Sequence, residues 1–165
     1  MSETDGVGDT LRGLSRLLED VGVEPERIYV DEESMSVLVT ELIEVSLEKS
    51  VRRLVISVQI LDEGDSVLIA APLLPFPLSP TDLSAVAPDL LRLSLDARLA
   101  ACGATSDGYA VAFSEVAKSE LTGETLWSKY GAVLNALERF LSKVLPKHPE
   151  LEEKLLKGRG EGDGG

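Results

Sequence analysis

Ser79-Pro80-Thr81-Asp82-Leu83-Ser84-Ala85-Val86-Ala87-Pro88-Asp89-Leu90-Leu91-Arg92-Leu93-Ser94-Leu95-Asp96 runs into the small-residue stretch Ala97 to Thr105, and Ser106-Asp107-Gly108 then turns the chain into Tyr109-Ala110-Val111-Ala112-Phe113-Ser114-Glu115-Val116. Ser79 supplies a cap and Pro80 a proline at the first helical position, with Leu83, Val86, Ala87, Leu90, Leu91 and Leu93 continuing at helical spacing. Pro88 interrupts that pattern and predicts a kink or a split at Ala87. After Asp96 the residues are small and extended, and Ser-Asp-Gly is hairpin chemistry leading to a strand in which Tyr109, Val111 and Phe113 share one face. A helix followed by a hairpin therefore occupies the middle of the chain and fixes what must lie on either side.

On the N-terminal side, residues 34–48 alternate apolar and polar positions with many β-branched side chains, which is strand periodicity. Lys49-Ser50 marks a turn, Arg53 to Leu61 resumes the alternation, and Asp62-Glu63-Gly64-Asp65 turns the chain into a third strand, Ser66 to Leu74. That acidic turn lacks the spaced ligand ladder and closing Glu of a calcium loop, so it reads as a plain turn. Upstream, Asp9 is a plausible cap for a helix carrying Leu11, Leu14, Leu17, Leu18 and Val21, with Gly22 at its C-terminal end. Residues 1–8 read as an irregular, disordered start and Val23 to Glu33 as a connector.

On the C-terminal side a helix from near Thr122, with Ser119 or Thr125 as alternative caps, runs to about Leu145 and presents a broad apolar stripe. Pro146 and Pro149 stop it, Glu150 to Lys157 reads as a charged terminal turn, and residues 158–165 as a glycine-rich disordered tail. The expected order is α-β-β-β-α-β-β-α: an α+β two-layer sandwich, its antiparallel sheet packed on helices, in a single domain over residues 9–157.

Composition narrows the function. With 165 residues, 44% of them hydrophobic and 4% aromatic, the chain can build one aliphatic core. A formal charge of −13 opposes a sequence-independent grip on phosphates, so nucleic acid is not an expected partner. No apolar run reaches the ~18 residues of a membrane helix, and the acidic start does not read as a signal peptide, so a cytoplasmic protein away from membranes is expected. The scarcity of amides, Gln59 and Asn135 being the only two, suggests a heat-adapted source.

No motif predicts catalysis, a cofactor or a metal. Gly6-x-Gly8 lacks the third glycine and preceding strand of a dinucleotide loop, and Arg52-Arg53 is too short for a basic patch. His148 is the only histidine and Cys102 the only cysteine, too few for a zinc site or an internal disulfide. Surplus apolar character is the stronger signal. Both faces of the first strand are apolar around Leu38 to Ile43, and Ala71-Pro72-Leu73-Leu74-Pro75-Phe76-Pro77-Leu78 is either a buried crossover or a partner-contacting edge. Leu73, Leu74, Phe76, Leu90, Leu91, Ala101, Cys102 and Tyr109 are the candidate contact residues for a homodimer or a protein client. The interface is expected on the second helix and the Leu99 to Val116 hairpin, with the three-stranded face as the alternative.

The element order, the leucine-rich helix Asp89 to Ala100, the Ser106-Asp107-Gly108 turn, the strand Tyr109 to Phe113 and the long closing helix together resemble the YbjN-like proteins, whose fold is that of the type III secretion chaperones. The resemblance covers residues 9–150 and implies an acidic homodimer that holds extended protein segments or regulates partners without chemistry. Two other readings stay open. One is a small-ligand binder or enzyme with a pocket between sheet and helix, Tyr109 and Trp127 at its mouth; the other is a structural domain whose apolar surface serves only self-association.

Overall fold

The computed structural model describes residues 3–47 and 50–157. Helix α1 spans Glu3–Asp20 and buries Leu11, Leu14 and Leu18. It starts ahead of the expected Asp9 cap, so residues 3–8 are helical where an irregular start was expected. Gly6 and Gly8 each cost a helix only about 1 kcal/mol, which does not stop it. Met1, Ser2 and the glycine-rich tail lie outside the described residues.

Six antiparallel strands follow: β1 (Ile28–Asp31), β2 (Ser36–Ser46), β3 (Val51–Asp62), β4 (Ser66–Pro72), β5 (Ala101–Ala104) and β6 (Ala110–Ala117), ordered β1-β2-β3-β4-β6-β5. The extra strand is β1, in the stretch expected to be a connector. It is too short to show alternation, and it is a strand because Ile28 to Asp31 pair with Val39 to Ser36. Tertiary pairing creates this element, as is usual for short edge strands.

Helix α2 spans Pro80–Asp96, capped by Ser79, whose side chain accepts from the Asp82 backbone N–H at 3.1 Å. Of the expected kink or split at Pro88, the split does not occur, and α2 runs through as one helix. Pro88 and Ser84 are both exposed, so the Ser84 carbonyl that loses its helical donor is free to take water instead. Helix α3 (Gly123–Arg139) opens on a reciprocal box in which Thr122 and Thr125 each bond the other's backbone N–H, at 3.1 and 2.8 Å. Its stripe continues into a π turn at Phe140–Val144 and a 3-10 turn at Leu145–Lys147. The expected charged terminal turn is a complete helix, α4 (Pro149–Lys157), because Leu151 and Leu155 bury against the core.

One sheet face is closed and the other open. Val37, Val39, Ile43 and Val45 of β2, Val58 and Ile60 of β3, Val67, Ile69 and Ala71 of β4, and Ala110, Ala112 and Val116 of β6 all bury with α1, α2, α3 and α4 in one aliphatic cluster. Tyr130 and Phe140 are the largest fully buried side chains in it. Gly108, at φ 92°, closes the β5–β6 turn where a Cβ would meet the Leu78 carbonyl oxygen at 2.9 Å, so the turn and the proline-rich crossover are packed backbone to backbone.

Candidate functional site

The residues opposite those buried positions form the outer face. The register aligns Tyr29, Leu38, Gln59, Ala70, Phe113 and Ala101 in one row across all six strands, and Leu42 beside Val55 in the next part of the face. No described helix covers them. Tyr29 is 65% exposed, Leu42 61% and Val55 66%. An antiparallel sheet commonly leaves one face to water, but then that face reads polar, and here its centre does not.

The sheet is also incompletely zipped. β1 pairs with β2 only at Ser36 to Val39, and β4 pairs with β3 only at Gln59 to Asp62. Residues 40–46 and 51–58 are therefore a two-stranded arm that projects beyond its neighbours. Pro72 helps to open the split, since it has no N–H to continue pairing with β3. On the β4 side lies a crevice of about 130 Å³ lined by Leu54, Ile56, Leu73, Leu74, Leu137 and Leu141 among others. On the β1 side a groove of about 590 Å³ runs between β2 and α3, lined by Glu41, Glu44, Glu138, Ile43, Leu134 and Leu141 among others.

The opposite sheet edge is closed. The Cys102 backbone N–H donates to Ser94 Oγ at 2.8 Å, and the Ser94 hydroxyl lies 3.2 Å from the Cys102 carbonyl oxygen. Helix α2 thereby occupies the outward-facing backbone groups at the centre of β5, a blunted edge. The small residues of this stretch, which let a helix or a second subunit approach closely, admit α2 of the same chain.

This arrangement sorts the candidate contact residues. Leu73, Leu74, Leu90 and Cys102 are buried in the protein's own core. Of the two readings of the proline-rich segment, the buried crossover describes Leu73, Leu74 and Leu78, while Phe76 is half-buried under Lys154, whose Nζ lies 5.2 Å from the ring centroid. Leu91 is 67% exposed and, with Leu95 on the same helix and Leu99 just past its end, leaves apolar side chains open to solvent. Ala101 and Tyr109 are partly exposed. Trp127 stacks on Tyr130 with centroids 5.4 Å apart, and neither it nor Tyr109 lines the groove or the crevice.

The polar groups of the interior are engaged with one another. Tyr130 Oη donates to Glu41 Oε1 at 2.5 Å, and the Arg27 guanidinium pairs with the same oxygen. Burial, then the adjacent Glu41, pushes the Tyr130 phenol far above its ordinary value. Glu41 was the legible anomaly, a carboxylate on the inward, apolar side of the β2 alternation. On α2, Asp89 faces His148 Nε2 at 3.2 Å and Lys147 Nζ at 3.5 Å. Burial acts to raise the Asp89 pKa, but the hydrogen bond from His148 and the charge of Lys147 outweigh it and hold the carboxyl below its usual value. Asp62, in the acidic turn, bonds the Gly64 N–H at 2.9 Å and pairs with Lys118 at 2.6 Å, as a structural turn does. Burial pushes the Cys102 thiol up to about 11, which makes it a poor nucleophile. Among the described residues, no group of three His, Cys, Asp or Glu is placed to hold a metal.

No protein-family model and no curated protein sequence matches the chain. Solved structures do. The crystal structure of YbjN, a proposed transcription regulator from E. coli, aligns with a TM-score of 0.53 at 12% identity, over 79% of this chain and 89% of that one. This chain has the YbjN fold. The HopA1–SchA chaperone–effector complex aligns with a TM-score of 0.49 at 14% identity, over 83% and 94% of the two chains, and the ExsC–ExsE complex with 0.45 at 15%, over 79% and 92%. The resemblance drawn from element order thus holds at the level of the YbjN fold, an α+β arrangement of six antiparallel strands and helices. Among the described residues, no helix is long and apolar enough to cross a membrane.

Proposed function

We propose that the protein is a single-domain, non-enzymatic homodimer that holds an extended segment of a protein partner on its open sheet face. The observation that carries this reading is the uncovered band of Tyr29, Leu38, Leu42, Val55 and Phe113, apolar surface that one copy does not hide. Dimerisation is assigned to the second exposed surface, the α2 stripe of Leu91, Leu95 and Leu99, whose exposures of 67%, 86% and 45% suit a self-complementary patch. The acidic charge favours a protein partner over nucleic acid or an anionic membrane, and the composition is that of a heat-adapted cytoplasm. With Cys102 buried and His148 tied to Asp89, the side chains most suited to chemistry serve the fold instead.

The test has two parts. Light scattering of the full chain is expected to give a dimer mass that Leu91→Asp with Leu95→Asp reduces to a monomer. Display selection of short peptides against the full chain is expected to return binders that Leu42→Glu with Val55→Glu no longer retains. A monomeric wild type overturns the assembly. A selection that returns nothing, or returns binders indifferent to the outer-face variant, overturns the binding face.

A further inference from the structure

We infer that the groove between the end of α2 and the outer side of α3 binds a small phosphorylated sugar, its phosphate held by Arg98 and Arg139. This goes beyond the partner-holding reading above and does not depend on it. The groove has a volume of about 360 Å³, within the range of small-molecule sites. One wall is the stretch from Asp96 to Leu99, where the chain leaves α2, and the floor is the side of α3 that carries Ser128, Gly131, Asn135 and Arg139. Steps of three and four residues keep those four on one stripe of the helix. The stripe is poorly chosen for helix stability. Serine, glycine and asparagine are all weak helix formers, Ser128, Gly131 and Asn135 are all exposed, and Asn135 is the only asparagine of the chain. A Cβ on Gly131 would meet no described atom within 4 Å, so internal packing does not require the glycine. Local choices that weaken an element without helping it pack belong to functional surfaces.

The charged groups then choose the ligand. Among the described residues, neither the Arg98 nor the Arg139 guanidinium has an ion-pair partner, and neither does Asp96, the one carboxylate of the lining. Two cations against one anion leave the lining positive in a chain of formal charge −13. Each guanidinium offers a planar fork of donors that takes phosphate or carboxylate oxygens two at a time. Side chains on a helix lean towards its N-terminal end, so Arg139 reaches back over Asn135. A phosphate monoester, with three oxygens and close to two negative charges, uses both forks and the Asn135 amide together. A lone carboxylate has one charge and too few oxygens to do so. From Asn135 to Ser128 the helix rises about 10 Å at ~1.5 Å per residue, the reach of a pentose phosphate. Its ring lies over the bare backbone of Gly131, and Ser128 and Asp96 remain to meet its hydroxyls. A polynucleotide is the wrong occupant, since each further phosphate meets the net negative charge of the chain.

The amide content of the chain supplies the readout. A nitrogen–proton correlation spectrum of the full-length protein holds two side-chain amide pairs, Asn135 in the groove and Gln59 in β3. Ribose 5-phosphate is expected to shift the Asn135 pair and leave the Gln59 pair in place, and ribose to shift neither. Inorganic phosphate, and a phosphoserine peptide that brings the same anion from a protein, are each expected to bind about tenfold more weakly than the sugar phosphate. Arg98→Gln and Arg139→Gln are each expected to weaken ribose 5-phosphate about tenfold. Gly131→Ala, which favours the helix at an exposed position, is expected to raise the melting temperature and yet weaken the ligand, a pairing that a purely structural glycine does not give. An Asn135 pair that none of the ligands moves, ribose as effective as its phosphate, or wild-type affinity in the arginine variants or in Gly131→Ala overturns the inference. Inorganic phosphate or the phosphopeptide binding as tightly as ribose 5-phosphate overturns the sugar assignment with it. The partner-holding reading is judged separately, by the light scattering and the display selection.

Discussion

Replacing Tyr130 by Phe removes one oxygen atom from the interior and tests whether the Tyr130–Glu41–Arg27 node stabilises the joint between α3 and the β2–β3 arm. Tyr130 is fully buried, and its hydroxyl donates to a carboxylate at 2.5 Å. A hydrogen bond to a charged group contributes about 1.5–3 kcal/mol, because the deletion leaves the carboxylate short of a donor in a poorly solvated place. For a chain of this size ~1 kcal/mol shifts the melting temperature by roughly 2–4 °C, so calorimetry is expected to show a fall of about 3–12 °C in Tyr130→Phe. The second signature is in pH. The folded-state pKa of Tyr130 is raised by burial and then by Glu41, above an unfolded value near 10. Its contribution is complete below pH ~10 and is lost as pH rises further, because the unfolded chain releases a proton that the folded chain keeps. The wild type is expected to lose about 1.4 kcal/mol per pH unit above 10 relative to Tyr130→Phe. A Phe variant that melts with the wild type at neutral pH, and whose alkaline limb runs parallel to it, would refute the node as a source of stability.

Three further perturbations probe the fold around the site. Asp89→Asn is expected to cost about 1–2 kcal/mol at neutral pH, as His148 and Lys147 lose their carboxylate partner. The depressed Asp89 pKa means that this stability is present above about pH 4 and lost as pH falls through the folded value, so the denaturation curves of variant and wild type should converge in acid. Gly108→Ala is expected to cost at least about 2 kcal/mol by urea denaturation, since it combines a positive φ with a Cβ 2.9 Å from the Leu78 carbonyl oxygen. The Cys102 thiol, buried and pushed up to about 11, should resist alkylation by iodoacetamide near neutral pH in the folded protein and react readily once urea unfolds it.

Periodicity carried most of the helix and strand pattern because it is a local property. The alternation from Ser34 to Glu48, the Ser79-Pro80 start of α2 and the stripe of α3 each commit a segment to one conformation and one buried face before anything packs on it. β1 was illegible for the same reason, since Ile28 to Asp31 gain strand conformation only from β2. Whether Pro88 splits α2 was not legible, because the Ser84 carbonyl it leaves without a donor is exposed to water, and exposure is a tertiary fact. Leu151 and Leu155 turned a charged stretch into α4 by burial that local charge does not reveal.

The candidate site divides along the same line. By itself the sequence determined that the chain is acidic, aliphatic, poor in reactive side chains, and richer in apolar strand and helix surface than a small core needs. Only the tertiary structure decided which of that surface is left over: it buried Leu73, Leu74, Leu90 and Cys102, closed the β5 edge with Ser94, and opened β2 beyond Val39. Hydrophobicity is a property of each residue, whereas exposure and unpaired backbone are properties of what the rest of the chain fails to reach.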